Sequence, residues 1–261
     1  MSMHRIYAII LRYAFLLRHS YDRLTDVFYW VTMDIILWGF TSLFFREAFV
    51  GDPNLTTNLL GGLILWYVVW RTQYEISVNL LEEVWNKNLI NIFSSPITFT
   101  EWIGAFMING IIKVLLMMCV AVPIAYFLYG MNFFKYGAHL LIFIPLLMMS
   151  GWVVGFTISS FLLRFGTKLQ TLAWSFPYLI NPFSAIFYPL SILPFIAQDI
   201  AHFIPTSYVF ESARSLINTS ALEPIMLWKS FGLNILYLSI SMIFMRQSFR
   251  KVLERGLVKL Y

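Results

Sequence analysis

Leu80-Leu81-Glu82-Glu83-Val84-Trp85-Asn86-Lys87-Asn88-Leu89-Ile90-Asn91-Ile92-Phe93-Ser94-Ser95-Pro96 is a polar island between two strongly apolar segments. Its apolar residues Leu81, Val84, Trp85, Leu89, Ile92 and Phe93 recur at the spacing of one helical face, and Pro96 stops the pattern. The spacing predicts a short amphipathic helix over 81–96. A helix of this kind between two membrane spans either lies on the bilayer surface or receives a soluble partner.

The segments on both sides decide the fold class. Apolar residues make up 59% of the 261, charged residues only 12%, and the mean hydropathy is +0.74, outside the balance of a soluble domain. Apolar runs of about 20 residues cross a hydrocarbon core of roughly 30 Å as helices, and no alternating short segments point to a barrel. The expected fold is an all-α polytopic membrane protein with six transmembrane helices, forming one domain over 1–261. An interfacial helix precedes the spans at 1–24, where Arg5, Arg12 and His19 alternate with Ile6, Ile9, Tyr13, Leu16 and Leu17. Basic side chains of that helix would meet lipid head groups. Twelve of the 18 Lys and Arg fall before the first span, after the last, or in the loops around Lys87 and 164–168. That asymmetry predicts both termini on the cytoplasmic side, in the inner membrane of a prokaryote, and it accounts for the net charge of +5 without nucleic acid.

The expected spans are 27–45, 59–80, 103–129, 138–163, a fifth beginning near Thr171, and 226–245. An outer loop carrying Glu47, Asp52 and Pro53 joins the first two. Gly151 and Gly155 in the fourth have the small-xxx-small spacing that lets helices approach closely. The fifth cannot be continuous, because Pro177, Pro182, Pro189, Pro194 and Pro205 are half of the ten prolines in the chain. Broken or re-entrant half-helices are expected over 177–205, and Pro177, Asn181, Pro182, Tyr188 and Pro189 are candidates for an outer gate.

Little in the sequence supports covalent chemistry. No P-loop, G-x-S-x-G or H-E-x-x-H occurs, so an enzyme is not expected, and any energy must come from a partner or an ion gradient. The single cysteine, Cys119, and the scattered His4, His19, His139 and His202 make no metal site. Four charged residues fall inside spans: Asp34, Arg71, Glu75 and Lys113. They must face the protein interior, either as a neutralising network or along a substrate path. Aromatic residues, 18% of the chain, serve interfacial belts and packing, or line a cavity for ring-shaped or amphipathic molecules.

In order and spacing, several stretches resemble the permease subunits of type-2 ATP-binding-cassette exporters. These are the basic N-terminus, Glu82-Glu83 and Asn88-Leu89 leading into Ser95-Pro96-Ile97, Asn181-Pro182 followed by Tyr188-Pro189-Leu190-Ser191, and Ile204-Pro205-Thr206-Ser207-Tyr208 with Glu211 and Arg214 beyond. The resemblance implies a homodimer that exports an amphipathic lipid-linked glycan, lipid or drug. The energy would come from ATP and Mg on a separate ATPase subunit, with no cofactor in this chain. It also implies that 81–96 is a coupling helix, with Glu82, Glu83, Trp85, Asn88 and Leu89 contacting the ATPase beside Arg164 and Lys168. The alternatives are a standalone channel or ion-coupled carrier, in which Asp34, Arg71, Glu75 and Lys113 form the ion path, and a membrane anchor for a soluble partner.

Overall fold

The computed structural model describes residues 2–48 and 54–255, so Asp52 and Pro53 of the first outer loop and Lys259 of the basic tail lie outside it. The described residues are helical and contain no strand. The chain is a multi-pass membrane protein. Among the described residues ten α-helices follow in order: α1 (Met3–His19), α2 (Tyr21–Ala48), α3 (Leu55–Trp85), α4 (Leu89–Ser94), α5 (Phe99–Tyr129), α6 (Leu140–Phe165), α7 (Leu172–Ile180), α8 (Phe195–His202), α9 (Pro205–Thr219) and α10 (Pro224–Arg255). Four of them, α2, α5, α6 and α10, are long and apolar enough to cross a membrane. These match the first, third, fourth and sixth expected spans. The other two differ for separate physical reasons.

The helix of the second expected span, α3, has the length, 31 residues, but it carries Arg71, Glu75, Glu82 and Glu83. Polar groups at this density survive in a membrane only inside protein, and nearly every residue of α3 from Leu59 to Val84 is buried. α3 is the central post of the bundle, with α2, α5 and α6 packed around it. The small-residue stripe on α6 sets the closest approach. A Cβ on Gly151 would lie 1.9 Å from Thr72 Oγ1 and 2.6 Å from the Val69 carbonyl oxygen, and one on Gly155 would lie 3.0 Å from the Gln73 carbonyl oxygen. Only glycine admits α6 at this distance.

The fifth segment is not one helix. α7 has nine residues and passes through Pro177 into a tight turn over Asn181–Phe183. The segment nevertheless runs along α3. Trp85 Nε1 donates to Gln170 Oε1 at 3.1 Å, Gln73 Nε2 to the Ala173 carbonyl at 3.4 Å, and the Trp70 and Tyr178 rings lie 5.1 Å apart. Further on, the Ile186 carbonyl oxygen would be 2.6 Å from a Cβ on Gly62. From Trp85 to Gly62 along α3 is about 34 Å at the helical rise.

Beyond this, α9 starts deep in the bundle. Ser230 Oγ of α10 donates to the Pro205 carbonyl at 2.8 Å, and Asn234 of α10 is joined to Ser150 Oγ of α6 at 2.8 Å. The other end of α9 returns to the start of α3, where Asn58 Nδ2 donates to Asn218 Oδ1 at 2.9 Å. Backbone groups freed by the prolines find side-chain partners. Arg214 donates to the Ala185 carbonyl at 2.6 Å, Tyr188 Oη to that of Pro182 at 2.6 Å, and the Leu190 N–H donates to Glu211 at 2.5 Å.

The opening stretch also departs from expectation. It is not a single helix: α3 continues to Trp85, turns through Asn86–Asn88 with Lys87 at φ 52°, and is followed by the six-residue α4. The N-terminal segment is two helices as well, because Ser20 is extended (φ −120°, ψ 111°) and α2 begins at Tyr21. α1 buries Ile6, Ile9 and Tyr13 against the protein and exposes Met3, Tyr7, Leu11 and Phe15 at every fourth position.

Gly151→Ala should lower thermal stability by about 1–3 kcal/mol through overpacking, read as the melting temperature of the purified protein. Gly104→Ala should leave it unchanged, since only Ile6 Cδ1, at 3.9 Å, comes near a Cβ there. Equal melting of the two variants would contradict the close contact between α3 and α6.

Candidate functional site

The polar face of α3 builds a buried chain of charges. Glu75 Oε1 accepts from Lys113 Nζ of α5 at 2.6 Å and lies 4.0 Å from Arg71 Nη1, while Glu75 Oε2 accepts from Asn79 at 2.8 Å and Asn109 at 3.4 Å. The side chains of Glu75, Arg71 and Lys113 are 0%, 2% and 6% exposed, so the charges are stable only because they are paired. Arg71 continues the chain to α2, with Nη1 donating to Asp26 Oδ2 at 2.8 Å and Nη2 to the Asp26 carbonyl at 2.7 Å. The Arg71 Nε has no acceptor among the described residues.

Of the four intramembrane charges singled out in the sequence, the structure brings three together and leaves Asp34 apart. Asp34 accepts from Tyr67 Oη at 2.6 Å, and no described lysine or arginine forms an ion pair with it. Asp26 takes the place expected of Asp34. Asp26 lies just before the first apolar run, where hydropathy does not mark it as an intramembrane charge, although it stands about two turns before Asp34 on α2.

Asp26 and Asp34 both line a cleft of about 530 Å³ between α2, α3 and α7. Its remaining walls are almost wholly aromatic: Trp30, Trp38, Trp66, Tyr67, Trp70, Tyr74, Trp174, Tyr178 and Phe187, with Leu63 and Asn181. Trp38 and Phe187 stack at 4.2 Å. Phe187 and Asn181 come from the proline-broken segment, so part of the candidate outer gate borders the cleft. Pro177 is buried in α7, whereas Pro182, Tyr188 and Pro189 lie outside the cleft wall. A wider groove of about 750 Å³ between α5 and α6 has no charged residue in its lining and faces outward.

The glutamates expected to meet an ATPase are occupied by the N-terminal helices. Glu83 is 3% exposed; it pairs with Arg12 at 2.9 Å and accepts from Tyr13 Oη and Asn88 Nδ2, each at 2.6 Å. Burial, then the charge of Glu83, raises the Tyr13 phenol well above its ordinary pKa, so the hydroxyl stays a donor. Glu82 pairs with Arg23. Glu101 caps α5 through Thr98 and accepts from the Ser2 N–H at 2.5 Å. These three carboxylates fasten α1 and the start of α2 to the ends of α3 and α5. Trp85 remains exposed beside Gln170 and Trp174, and Leu89 is buried. Arg164 donates to Ser248 Oγ at 2.8 Å and covers the Phe244 ring, while Lys168 is exposed.

The model of the TLC ATP/ADP transporter family matches residues 59–129, from α3 to the end of α5, a stretch that includes Arg71, Glu75 and Lys113. A search of curated proteins finds no match. The family match overturns the resemblance to type-2 ATP-binding-cassette permeases. With it go the exporter half, the ATPase subunit bearing ATP and Mg, the homodimer and the coupling helix. The geometry removes the physical basis of the last of these, since its helix is broken at Lys87 and its acidic pair is already neutralised.

Lys113→Met should destabilise the protein by about 3–5 kcal/mol, because it leaves the Glu75 charge buried without its nearest cation. The double variant Glu75→Gln/Lys113→Met should recover at least half of the lost melting temperature. A double variant no more stable than the single would refute the pairing. Glu83→Ala should free α1 without unfolding the bundle, giving trypsin cleavage after Arg12 or Arg18 at least tenfold faster than in wild type. Unchanged cleavage would count against the clamp.

Proposed function

We propose that the protein is a membrane carrier that exchanges solutes through the aromatic cleft without an ATPase subunit, an adenine nucleotide being its first candidate substrate. The observation that carries this is the Arg71 guanidinium. It is buried behind the cleft wall, its Nε has no acceptor among the described residues, and its main partner, Asp26, is itself 27% exposed at the cleft. A solute anion entering the cleft can replace the Asp26 carboxylate at Arg71, while tryptophan and tyrosine faces receive a flat ring. The family match over α3 and α5 supports a nucleotide as that solute.

In this reading 1–261 is one transmembrane domain that crosses the bilayer six times, with 170–187 supplying the fifth crossing in pieces and α8–α9 re-entering from the outer side. Both termini are cytoplasmic, supported by the concentration of Lys and Arg at the two ends, and α1 lies on the inner surface of a prokaryotic cytoplasmic membrane. The stacked Trp38–Phe187 pair and the turn at Asn181 close the outer end of the cleft. Exchange needs no chemistry on the solute.

The test is counterflow. Proteoliposomes loaded with ADP should take up external labelled ATP, should take up a non-hydrolysable ATP analogue at the same rate, and should lose at least tenfold in rate with Arg71→Gln. Uptake no faster than in protein-free liposomes would exclude the nucleotide. Dependence on hydrolysis would exclude the carrier.

A further inference from the structure

The charges inside the bundle do not cancel at the cleft. Lys113 is committed to Glu75 at 2.6 Å and Arg71 to Asp26 at 2.8 Å, which leaves Asp34 with a hydrogen bond from Tyr67 and no cation among the described residues. A lone carboxylate at membrane depth is costly and calls for a counter-charge. What surrounds it is aromatic. Trp30 and Trp38 stand one helical turn to either side on α2, and Tyr67 and Tyr178 face it across the cleft from α3 and α7. Aromatic faces attract a cation through their quadrupoles and tolerate its alkyl groups, while the carboxylate supplies the formal charge. An alkylated ammonium satisfies both features, whereas a small hydrated metal ion would find one carboxylate and no further ring of oxygen ligands.

We propose that the Asp34 end of the cleft is a binding site for an organic ammonium group. The site stands about 12 Å along α2 from Asp26 at the helical rise, so an ammonium at Asp34 and an anion at Arg71 occupy opposite ends of one cleft. The proposal rests on the cleft and its uncompensated charge, and does not depend on which solute the carrier exchanges. Trp30 and Tyr178 are exposed on the outer surface of the bundle, at 58% and 63%. The cleft is therefore open to the side, and the ammonium group can belong to a free solute or to a lipid head group.

The full chain in nanodiscs of phosphatidylglycerol alone should show saturable quenching of tryptophan fluorescence on titration with choline. The uncharged isostere 3,3-dimethylbutanol should bind at least tenfold more weakly. Asp34→Asn should weaken choline binding at least tenfold, Tyr67→Phe by a few-fold, and Asp22→Asn, an exposed carboxylate of α2 outside the cleft, should retain it. Asp34→Glu, which keeps the charge, should retain saturable binding, and Asp34→Asn should keep the wild-type melting temperature, so that its loss of binding reports the missing charge. Equal binding of the isostere, or wild-type binding by Asp34→Asn, would overturn the proposal. Discs made with phosphatidylcholine separate the sources: abolished choline titration assigns the site to a lipid head group, and unchanged titration assigns it to a free ammonium. Nucleotide counterflow is measured separately, so its failure would leave this result standing.

Discussion

Glu75 has no exposed surface, and a carboxylate so placed is tolerable only if its neighbours are held in position around it. Four side chains meet that demand: Lys113 and Asn109 from α5, and Arg71 and Asn79 from the turns of α3 on either side. The register of α5 on α3 is thereby fixed, because sliding either helix by one residue would separate Lys113 from Glu75 and leave both charges buried. Arg71 passes the same constraint to α2 through Asp26. On the opposite side, Gly151 and Gly155 bring α6 against the α3 backbone at Val69–Gln73. The helices around α3 are thus held by charge on one side and by close contact on the other.

The ends of α3 and α5 that meet the N-terminal helices obey a related rule. Glu82, Glu83 and Glu101 stand where α3 and α5 leave the apolar core, and each is neutralised or bonded by a group from the first 23 residues. The short α4 completes this end, with Phe93 packed on Trp102 and Phe249 at centroid distances of 5.3 and 4.6 Å. An amphipathic pattern next to an acidic pair therefore marks an intramolecular joint here. Its apolar face is spent on α5 and α10, and its charge on α1 and α2.

The long helices were legible because hydropathy and length report them directly; α2 and α5 begin a turn or more before their apolar runs and α10 continues ten residues past Met245, because the polar residues there are still helical. The break at Asn86–Lys87–Asn88 was not legible. No glycine or proline stands there, and the turn depends on Lys87 taking a positive φ with Asn88 bonded back to Glu83, which only the folded chain reveals. The same holds for the acidic pair, since a sequence cannot show that α1 folds back onto it. Within the site, the charges inside apolar runs were visible as residues that need partners, but not which partner each takes. Asp26 was hidden by its position at the edge of a run, so Asp34 appeared to belong to a network from which the structure separates it.

The proline-rich segment follows from the cleft. A continuous helix between Gln170 and Phe187 would satisfy its own backbone and present a uniform side-chain surface to α3. The broken one leaves carbonyls at Pro182, Ala185 and Ile186, which Tyr188 and Arg214 take up. Side chains rather than a helical ladder then hold this wall. Such bonds can be exchanged one at a time, whereas a helix of the same length must unwind cooperatively. Phe187, which stacks on Trp38, and Asn181 are set in this part of the chain. On the opposite wall Asp26 and Asp34 stand on the regular helix α2, anchored to α3 through Arg71 and Tyr67. One wall of the cleft is thus a regular helix carrying both carboxylates, and the other is a broken segment whose backbone is held by side-chain bonds.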